Sequence, residues 1–198
     1  MCMALTTPSS PGGSLREKYG PETFTRAVGS LREVRPREEI ELEEAPPPTK
    51  LAPYAFALSG SVLRRGEEVT TGKLILLHDP AGHEAWEGDT RLVCYVQAEV
   101  EPEMAGDPLL PQVAWAWLID ALDTMTSGYR AIGGTVTQTT SHRFGGLHGP
   151  ATTDLEMRAS WTPSRVPLND HLDAWCALLA STAGLPPVGV AALPLRRT

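Results

Sequence analysis

Three stretches of the chain carry apolar residues at the spacing of an amphipathic helix. The first spans residues 21–34, the second follows Asp107 and Pro108, and the third begins at about residues 169–170. Asp107 can cap the second helix and Pro108 suits its first turn, whereas Gly184 suits the end of the third. The apolar positions predicted to face the core are Phe24, Ala27, Val28, Leu31, Leu110, Ala114, Trp117, Leu118, Ala121, Leu172, Trp175, Cys176 and Leu179.

Five further stretches alternate apolar and polar residues with the period of a β-strand. They are residues 51–63, 73–78, 91–102, 134–142 and 152–161. The segment between the first two, RRGEEVTTG, is predicted as a turn. Alternation with one polar face is typical of an antiparallel sheet that is covered on one side. We therefore predict an α+β fold, in which a five-stranded antiparallel sheet has helices on one face and the element order is α-β-β-β-α-β-β-α. This order resembles the type III secretion chaperone-like topology, a likeness of fold that carries no function.

An acidic stretch, residues 37–48, alternates Ile40 and Leu42 with glutamates before three prolines. We interpret it mainly as a solvated face or a linker, because the prolines prevent longer strand pairing. A short edge strand and a partner-binding acidic strip are the alternatives.

Composition predicts one domain in the cytoplasm. The chain has 198 residues, of which 41% are hydrophobic, and a formal net charge of −7. Residues 21–187 are predicted to form a single α+β domain between a disordered tail (1–20) and an extended tail (188–198). No apolar run reaches the roughly 20 residues of a membrane helix, and no secretory signal is recognisable. The acidic balance argues against direct binding to nucleic acid, and no membrane interaction is expected.

Residue types that often carry catalysis lack the required patterns here. Cys94 and Cys176 lie in apolar patterns, which predicts reduced thiols in the core. Glu99 and Glu101 share one face of the predicted strand 91–102, and Glu103 comes directly after that strand. We predict that these three glutamates only make an exposed sheet face soluble, since the two carboxylates of a glycosidase would face each other across a cleft. No nucleophile motif is present, so no catalytic residue and no cofactor is assigned.

The string HDPAGH places two histidines five positions apart around a turn. His78 and His83 are candidate ligand-binding residues, with Asp79 and Trp86 beside them. A structured hairpin loop is the favoured alternative, because Asp79 can form an Asx turn and Gly82 can supply a positive φ. Trp86 would then close over the loop.

A second candidate loop, RFGGLHGPA, is rich in glycine. His142, Phe144 and His148 are its candidate ligand-binding residues. Glycine-rich loops bind phosphate where they lead into a helix, but this one leads from strand to strand, which favours a plain hairpin loop. A site formed by both histidine loops over one end of the sheet would support a small-ligand or metal-dependent enzyme.

Several strings resemble a known family, among them LLHDPAGHEAW, GTVTQTTSHRFGGL and AWCALLASTAGLPP. They are similar to an uncharacterised actinobacterial family catalogued as domain of unknown function 3000, and the resemblance covers residues 21–187. It implies a small cytoplasmic bacterial protein without an established activity. Genes of this family are often neighbours of a ribonuclease D-like gene, which implies an accessory role in RNA processing as one function. Clustering of Arg64, Arg65 and Arg143 beside aromatic residues would favour that role.

The leading hypothesis is a non-enzymatic protein-binding or regulatory module that uses its sheet face or an exposed edge. It rests on the missing catalytic pattern, the acidic composition and the chaperone-like element order. The expected partner is an unidentified protein, and a homodimer is a second form of the same hypothesis. The enzyme that uses the two histidine loops and the RNA-processing accessory remain as alternatives.

Overall fold

The computed structural model describes residues 22–186, so the expected tails at 1–20 and 188–198 lie outside the described residues. Three α-helices, six β-strands and one short 3₁₀ helix make up this part of the chain. In chain order they are α1 (Glu22–Glu33), β1 (Ile40–Ala45), β2 (Tyr54–Arg64), β3 (Glu67–His83), the 3₁₀ helix (Glu84–Trp86), β4 (Gly88–Val100), α2 (Leu110–Met125), β5 (Tyr129–Ser141), β6 (Thr152–Pro163) and α3 (Asn169–Thr182). None of the described helices is long and apolar enough to cross a membrane.

The strands form one antiparallel sheet in the order β1-β2-β3-β4-β6-β5. The α+β class and the antiparallel pairing are confirmed, but the predicted count of five strands is wrong. The sixth strand is β1, which lies in the acidic stretch interpreted mainly as a solvated face or a linker; the alternative of a short edge strand is the one found. Ile40 is buried in the core and aligns with Val62 of β2, and this burial holds the short strand in place. The strand ends after Ala45, because the prolines at 46–48 have no backbone N–H to donate to a neighbouring strand.

The turn between β2 and β3 is much shorter than the nine residues predicted. It consists of Arg65 and Gly66, both with positive φ (56° and 83°). Two consecutive positive φ angles give a turn whose twist matches that of the flanking strands. Residues 67–72 therefore belong to β3 rather than to a loop, and β3 runs on to His83.

All three helices of the described chain pack on one face of the sheet, as predicted. The stripe of α3 is buried as expected, and that of α1 is buried except for Phe24, which is partly buried. Helix α3 ends at Thr182, and Gly184, with a φ of +66°, lies just beyond its end as predicted. The second helix begins later than predicted, at Leu110. Asp107 instead accepts a hydrogen bond from the N–H of Leu109 (2.8 Å), in a turn that precedes the helix. The predicted core cysteine Cys94 is confirmed as buried beneath these helices.

Trp175 of α3 packs directly on the sheet. Its indole is fully buried and lies over two glycines, Gly60 of β2 and Gly72 of β3. A Cβ atom on Gly60 would come within 2.8 Å of the Trp175 ring, and one on Gly72 within 2.9 Å. The absence of side chains at these two positions therefore lets the sheet accept the large indole.

A buried histidine that the sequence patterns did not single out lies in the same core. His171 is fully buried, and Nε1 of Trp161 donates a hydrogen bond to its Nδ1 at 3.2 Å. Nδ1 is thus an acceptor and the neutral ring carries its proton on Nε2, which has no hydrogen-bond partner among the described residues. Burial lowers the pKa of His171, an effect that the nearby Asp170 carboxylate partly opposes.

We expect His171 to destabilise the protein in mild acid. The pKa of His171 is lower in the folded chain than in the unfolded chain, where it is about 6.5. At pH values above about 6.5 the ring is neutral in both states, and the fold has its full stability. Stability is then lost as the pH falls, by up to about 1.4 kcal/mol per pH unit until the folded pKa is reached. Urea unfolding between pH 7.5 and 5 should show this slope in the native chain and a smaller one in His171→Phe. The exposed His142→Phe variant is the control, and equal slopes in all three proteins would contradict the assignment.

Candidate functional site

The first histidine loop is a structured hairpin in which the two histidines have separate environments. His78 is buried, and its Nδ1 lies 3.0 Å from Oγ1 of Thr90. Oδ1 of Asp79 accepts a hydrogen bond from the backbone N–H two residues further on (3.0 Å), which is the expected Asx turn. His83 is exposed and stacks on Trp86 with ring centroids 5.0 Å apart. These contacts agree with the structured-loop interpretation.

The second histidine loop lies at the opposite end of the sheet. Strands β4 and β6 pair from Leu92 and Trp161, near the first loop, to Val100 and Thr153, near the second. The eight residue steps from Leu92 to Val100 correspond to about 26 Å of strand. The arrangement that the alternative enzyme hypothesis requires, with both loops over one end of the sheet, is therefore not present, because strand register separates the loops.

The second loop is also open to solvent. His142, Phe144 and His148 are all exposed, and the His142 and Phe144 rings are 6.4 Å apart. Within residues 22–186 no group of three or more His, Cys, Asp or Glu side chains is arranged to hold a metal ion. The seven candidate ligand-binding residues are thus divided between two distant loops.

Of the glutamates and arginines singled out in the sequence, Arg64 and Glu101 form an ion pair with each other. Glu99 and Glu101 line a recess of about 270 Å³, where the β2–β3 turn meets the ends of β4 and α3. Nη1 of Arg64 lies 2.6 Å from Oε1 of Glu101 and also donates to the carbonyl of Ala183. Arg143 donates to a carbonyl of its own loop. Two of the three arginines of the RNA hypothesis are therefore already held by protein acceptors.

The two described thiols are unsuited to nucleophilic chemistry. Burial raises the pKa of both Cys94 and Cys176 to about 12, so neither forms thiolate near neutral pH. Their expected role as core residues is confirmed.

Arg91 of β4 is a buried cation on the face of the sheet without helices. It is only 8% exposed. Its guanidinium donates to the hydroxyls of Ser160 (2.8 Å) and Thr162 (3.2 Å), and burial lowers its pKa. Thr162 in turn donates to the carbonyl of Trp86, so the tip of the first hairpin folds over this end of the open face. The folded tip explains the burial, which period-two alternation cannot reveal.

The two edges of the sheet differ in how they are protected. Strand β1 is six residues long, carries Glu41, Glu43 and Glu44, and is followed by prolines. Charges, shortness and proline are the features that keep an edge strand from pairing with another chain. Strand β1 is thus a protected edge.

Strand β5, at the other edge, has none of these protections over most of its length. From Gly133 to Ser141 it has nine consecutive residues without charge or proline, and a register shift lies only before them, after Arg130. Each of the nine aligns with a residue of β6 on one side, while no strand of the described chain pairs with the other side. This outer side is a row of main-chain donors and acceptors available to another strand.

Apolar side chains extend this edge into the loop that follows it. Phe144 is 80% exposed and Leu147 is 71% exposed, and both lie within six residues of the end of β5. Exposed aromatic and aliphatic residues beside an unpaired edge are typical of an interaction site. We refer to the outer side of residues 133–141 together with Phe144 and Leu147 as the β5 edge.

The fold and this site define an α+β protein with a sheet covered on one face, a protected edge and an open edge. Residues 20–191 match the family model described as protein of unknown function (DUF3000), and the chain belongs to this family. No curated protein matches the chain, and no solved structure does. The likeness to the chaperone-like topology stays a prediction.

Proposed function

We propose that this chain is a protein-binding module whose partner adds an extended strand to the β5 edge. The observation that carries the proposal is the contrast between the two edges. The short β1 edge carries three glutamates, whereas residues 133–141 of β5 carry no charge over nine residues. An edge left unprotected in this way has the main-chain groups that strand addition requires.

The side chains of β5 indicate what kind of segment would fit. Every second residue of β5 lies on the open face, and there these residues are Thr135, Thr137 and Thr139. Threonines pair well with β-branched or hydroxyl-bearing residues of a neighbouring strand. Val136 and Gln138 alternate on the face that carries the helices. A matching partner is therefore an extended, mostly uncharged segment with β-branched residues, and an apolar residue at one end would contact Phe144.

Lysines at Thr137 and Thr139 should abolish the interaction without unfolding the protein. Both threonines are exposed, and they lie beside Glu156 and Asp154 of β6, whose carboxylates can accommodate the added charge. Lysine on an edge strand opposes pairing with another chain. We expect the amount of protein captured from the native cell extract to fall at least tenfold when the full-length Thr137→Lys/Thr139→Lys variant replaces the unchanged chain.

The control adds the same two charges elsewhere. Thr49→Lys/Thr124→Lys changes two exposed threonines outside the β5 edge and should leave capture unchanged. Equal capture by all three proteins, or equal loss with both pairs of lysines, would contradict binding at β5. If the captured protein is this chain itself, the partner is a second copy joined at the same edge.

A further inference from the structure

The uncharged run of β5, residues 133–141, can pair with a second copy of itself. The run has nine residues, and its middle residue is Thr137. In an antiparallel pair of two such runs, each residue lies opposite the one that is equally far beyond the middle, and Thr137 lies opposite Thr137. Any other antiparallel register would leave part of the run unpaired, so the length of the run specifies one register.

The residues that this register brings together are compatible on both faces of the sheet. On the open face, Thr135 of each copy lies opposite Thr139 of the other, and the two Thr137 side chains meet at the centre. Threonine pairs across antiparallel strands stabilise them through hydrogen bonds between the hydroxyls. On the face that carries the helices, Val136 lies opposite Gln138, and neither residue is charged.

Charge favours the β5 edge as the place where two copies meet. The chain has a formal net charge of −7, so two copies repel each other over most of their surface. Pairing through β1 would bring Glu41, Glu43 and Glu44 close to the same glutamates of the second copy, and like charges on paired strands are destabilising. Residues 133–141 let two copies join without opposing like charges.

The exposed apolar side chains of the molecule lie mostly near this edge. Helix α2 contacts β5, and the Tyr129 hydroxyl of that strand donates a hydrogen bond of 2.7 Å to Asp123 of the helix. Six large apolar side chains are exposed in residues 22–186, and all except Leu51 belong to α2, to the residue before it or to the loop after β5: Leu109, Val113, Met125, Phe144 and Leu147. Antiparallel pairing through β5 puts α2 of both copies on the same face of the joined sheet, so a second copy lies close to these apolar residues.

A pair joined in this way has no unprotected edge left. Each copy has its strands in the order β1-β2-β3-β4-β6-β5, so the joined sheet begins and ends with β1. Both outer edges then carry the glutamates and prolines that stop further pairing. The contrast between the two edges of one chain is therefore what a closed dimer requires: one edge that pairs and one that ends the sheet.

We propose that the strand added to the β5 edge is β5 of a second copy of this chain. This inference rests on the proposed function, since it names the partner of the same edge. Residues 133–141 of the two copies pair antiparallel about a two-fold axis at Thr137, and two six-stranded sheets become one continuous sheet.

The mass of the full-length chain in solution is the first test. Sedimentation equilibrium should give twice the 21.3 kDa of a single chain. Thr137→Lys places two like charges opposite each other at the centre of the pair and should raise the dissociation constant of the dimer at least tenfold. Thr49→Lys adds the same charge at an exposed position beyond β1 and should leave that constant unchanged.

Disulfide formation between two copies tests the register. In a Cys2→Ser background, Thr137→Cys places the two new thiols on residues whose Cα atoms are about 4.5–5.5 Å apart, a separation that a disulfide can span. Thr135→Cys is the matched control, because Thr135 is exposed on the same face but its two copies are four residues apart along the strands, about 13 Å. Cys94 and Cys176 are buried and do not compete. With oxidised glutathione as the oxidant, the disulfide-linked dimer, seen by intact mass, should form at least tenfold faster with Thr137→Cys.

Three results would overturn the pairing of two copies through β5. They are a single-chain mass at every accessible concentration, a dimer that Thr137→Lys leaves intact, and equal rates of disulfide formation at positions 135 and 137. If the chain has the mass of a single copy and the Thr137→Lys/Thr139→Lys variant still loses a captured protein, strand addition at β5 stands and the partner is a different protein. If the lysines change neither the mass nor the capture, the proposed function fails as well.

Discussion

Replacing Trp175 with alanine should lower the free energy of unfolding by about 3–5 kcal/mol, the usual cost of removing a buried tryptophan side chain. The indole is fully buried, and the two glycines beneath it, Gly60 and Gly72, have no side chains that could fill the space left behind. A cavity would therefore remain between α3 and the centre of the sheet. Urea denaturation followed by circular dichroism measures the loss.

Trp86→Ala is the matched control for this prediction. Trp86 is only partly buried, at the tip of the β3–β4 hairpin, and its ring contact is with the exposed His83. Its removal should cost about 1 kcal/mol, a common value for a partly buried position. Equal losses for the two tryptophans would show that α3 does not organise the core as described.

Alanine at Gly134 should destabilise the edge strand, whereas alanine at the adjacent Gly133 should not. A Cβ atom on Gly134 would overlap the carbonyl oxygen of Arg158 and lie 2.8 Å from Cα of Ala159. Both contacts are with the backbone of β6, so relief requires the strands to separate locally. The expected cost is about 1–3 kcal/mol, as for other overpacked sites.

The neighbouring glycine makes a strict comparison possible. A Cβ atom on Gly133 would meet no atom within 4 Å, so Gly133→Ala should change the free energy of unfolding by less than about 0.5 kcal/mol. Thermal unfolding of both variants measures the difference. If the two alanines were equally tolerated, β5 would not be held against β6 in the register described.

The sequence predicted the faces of the strands better than their ends. Alternation with period two correctly predicted a sheet with one buried face, on which Leu58, Cys94 and Met157 lie, because strand geometry fixes this property locally. Strand β1 was assigned mainly to a linker because glutamates and prolines are also typical of linkers. Its pairing depends on the burial of Ile40 against distant elements, and that burial is a property of the fold.

The candidate site depended on information that no local pattern contains. The Asx turn at Asp79 was predictable because its hydrogen bond joins residues two positions apart. The separation of His78 from His142 follows from the register of β4 against β6, which long-range packing decides. The strand order likewise decides that β5 is an edge, so its uncharged sequence gains functional meaning only within the folded sheet.

Hydrogen exchange of the β5 amides is the most direct test of the proposed function. The measurement compares the free protein with its complex with the protein captured from cell extract. Strand addition predicts that exchange of the amides in residues 133–141 slows at least tenfold on binding, while that of β1 changes little. Protection confined to β1 or to the covered face of the sheet, with β5 unchanged, would contradict the assignment of the β5 edge as the binding site.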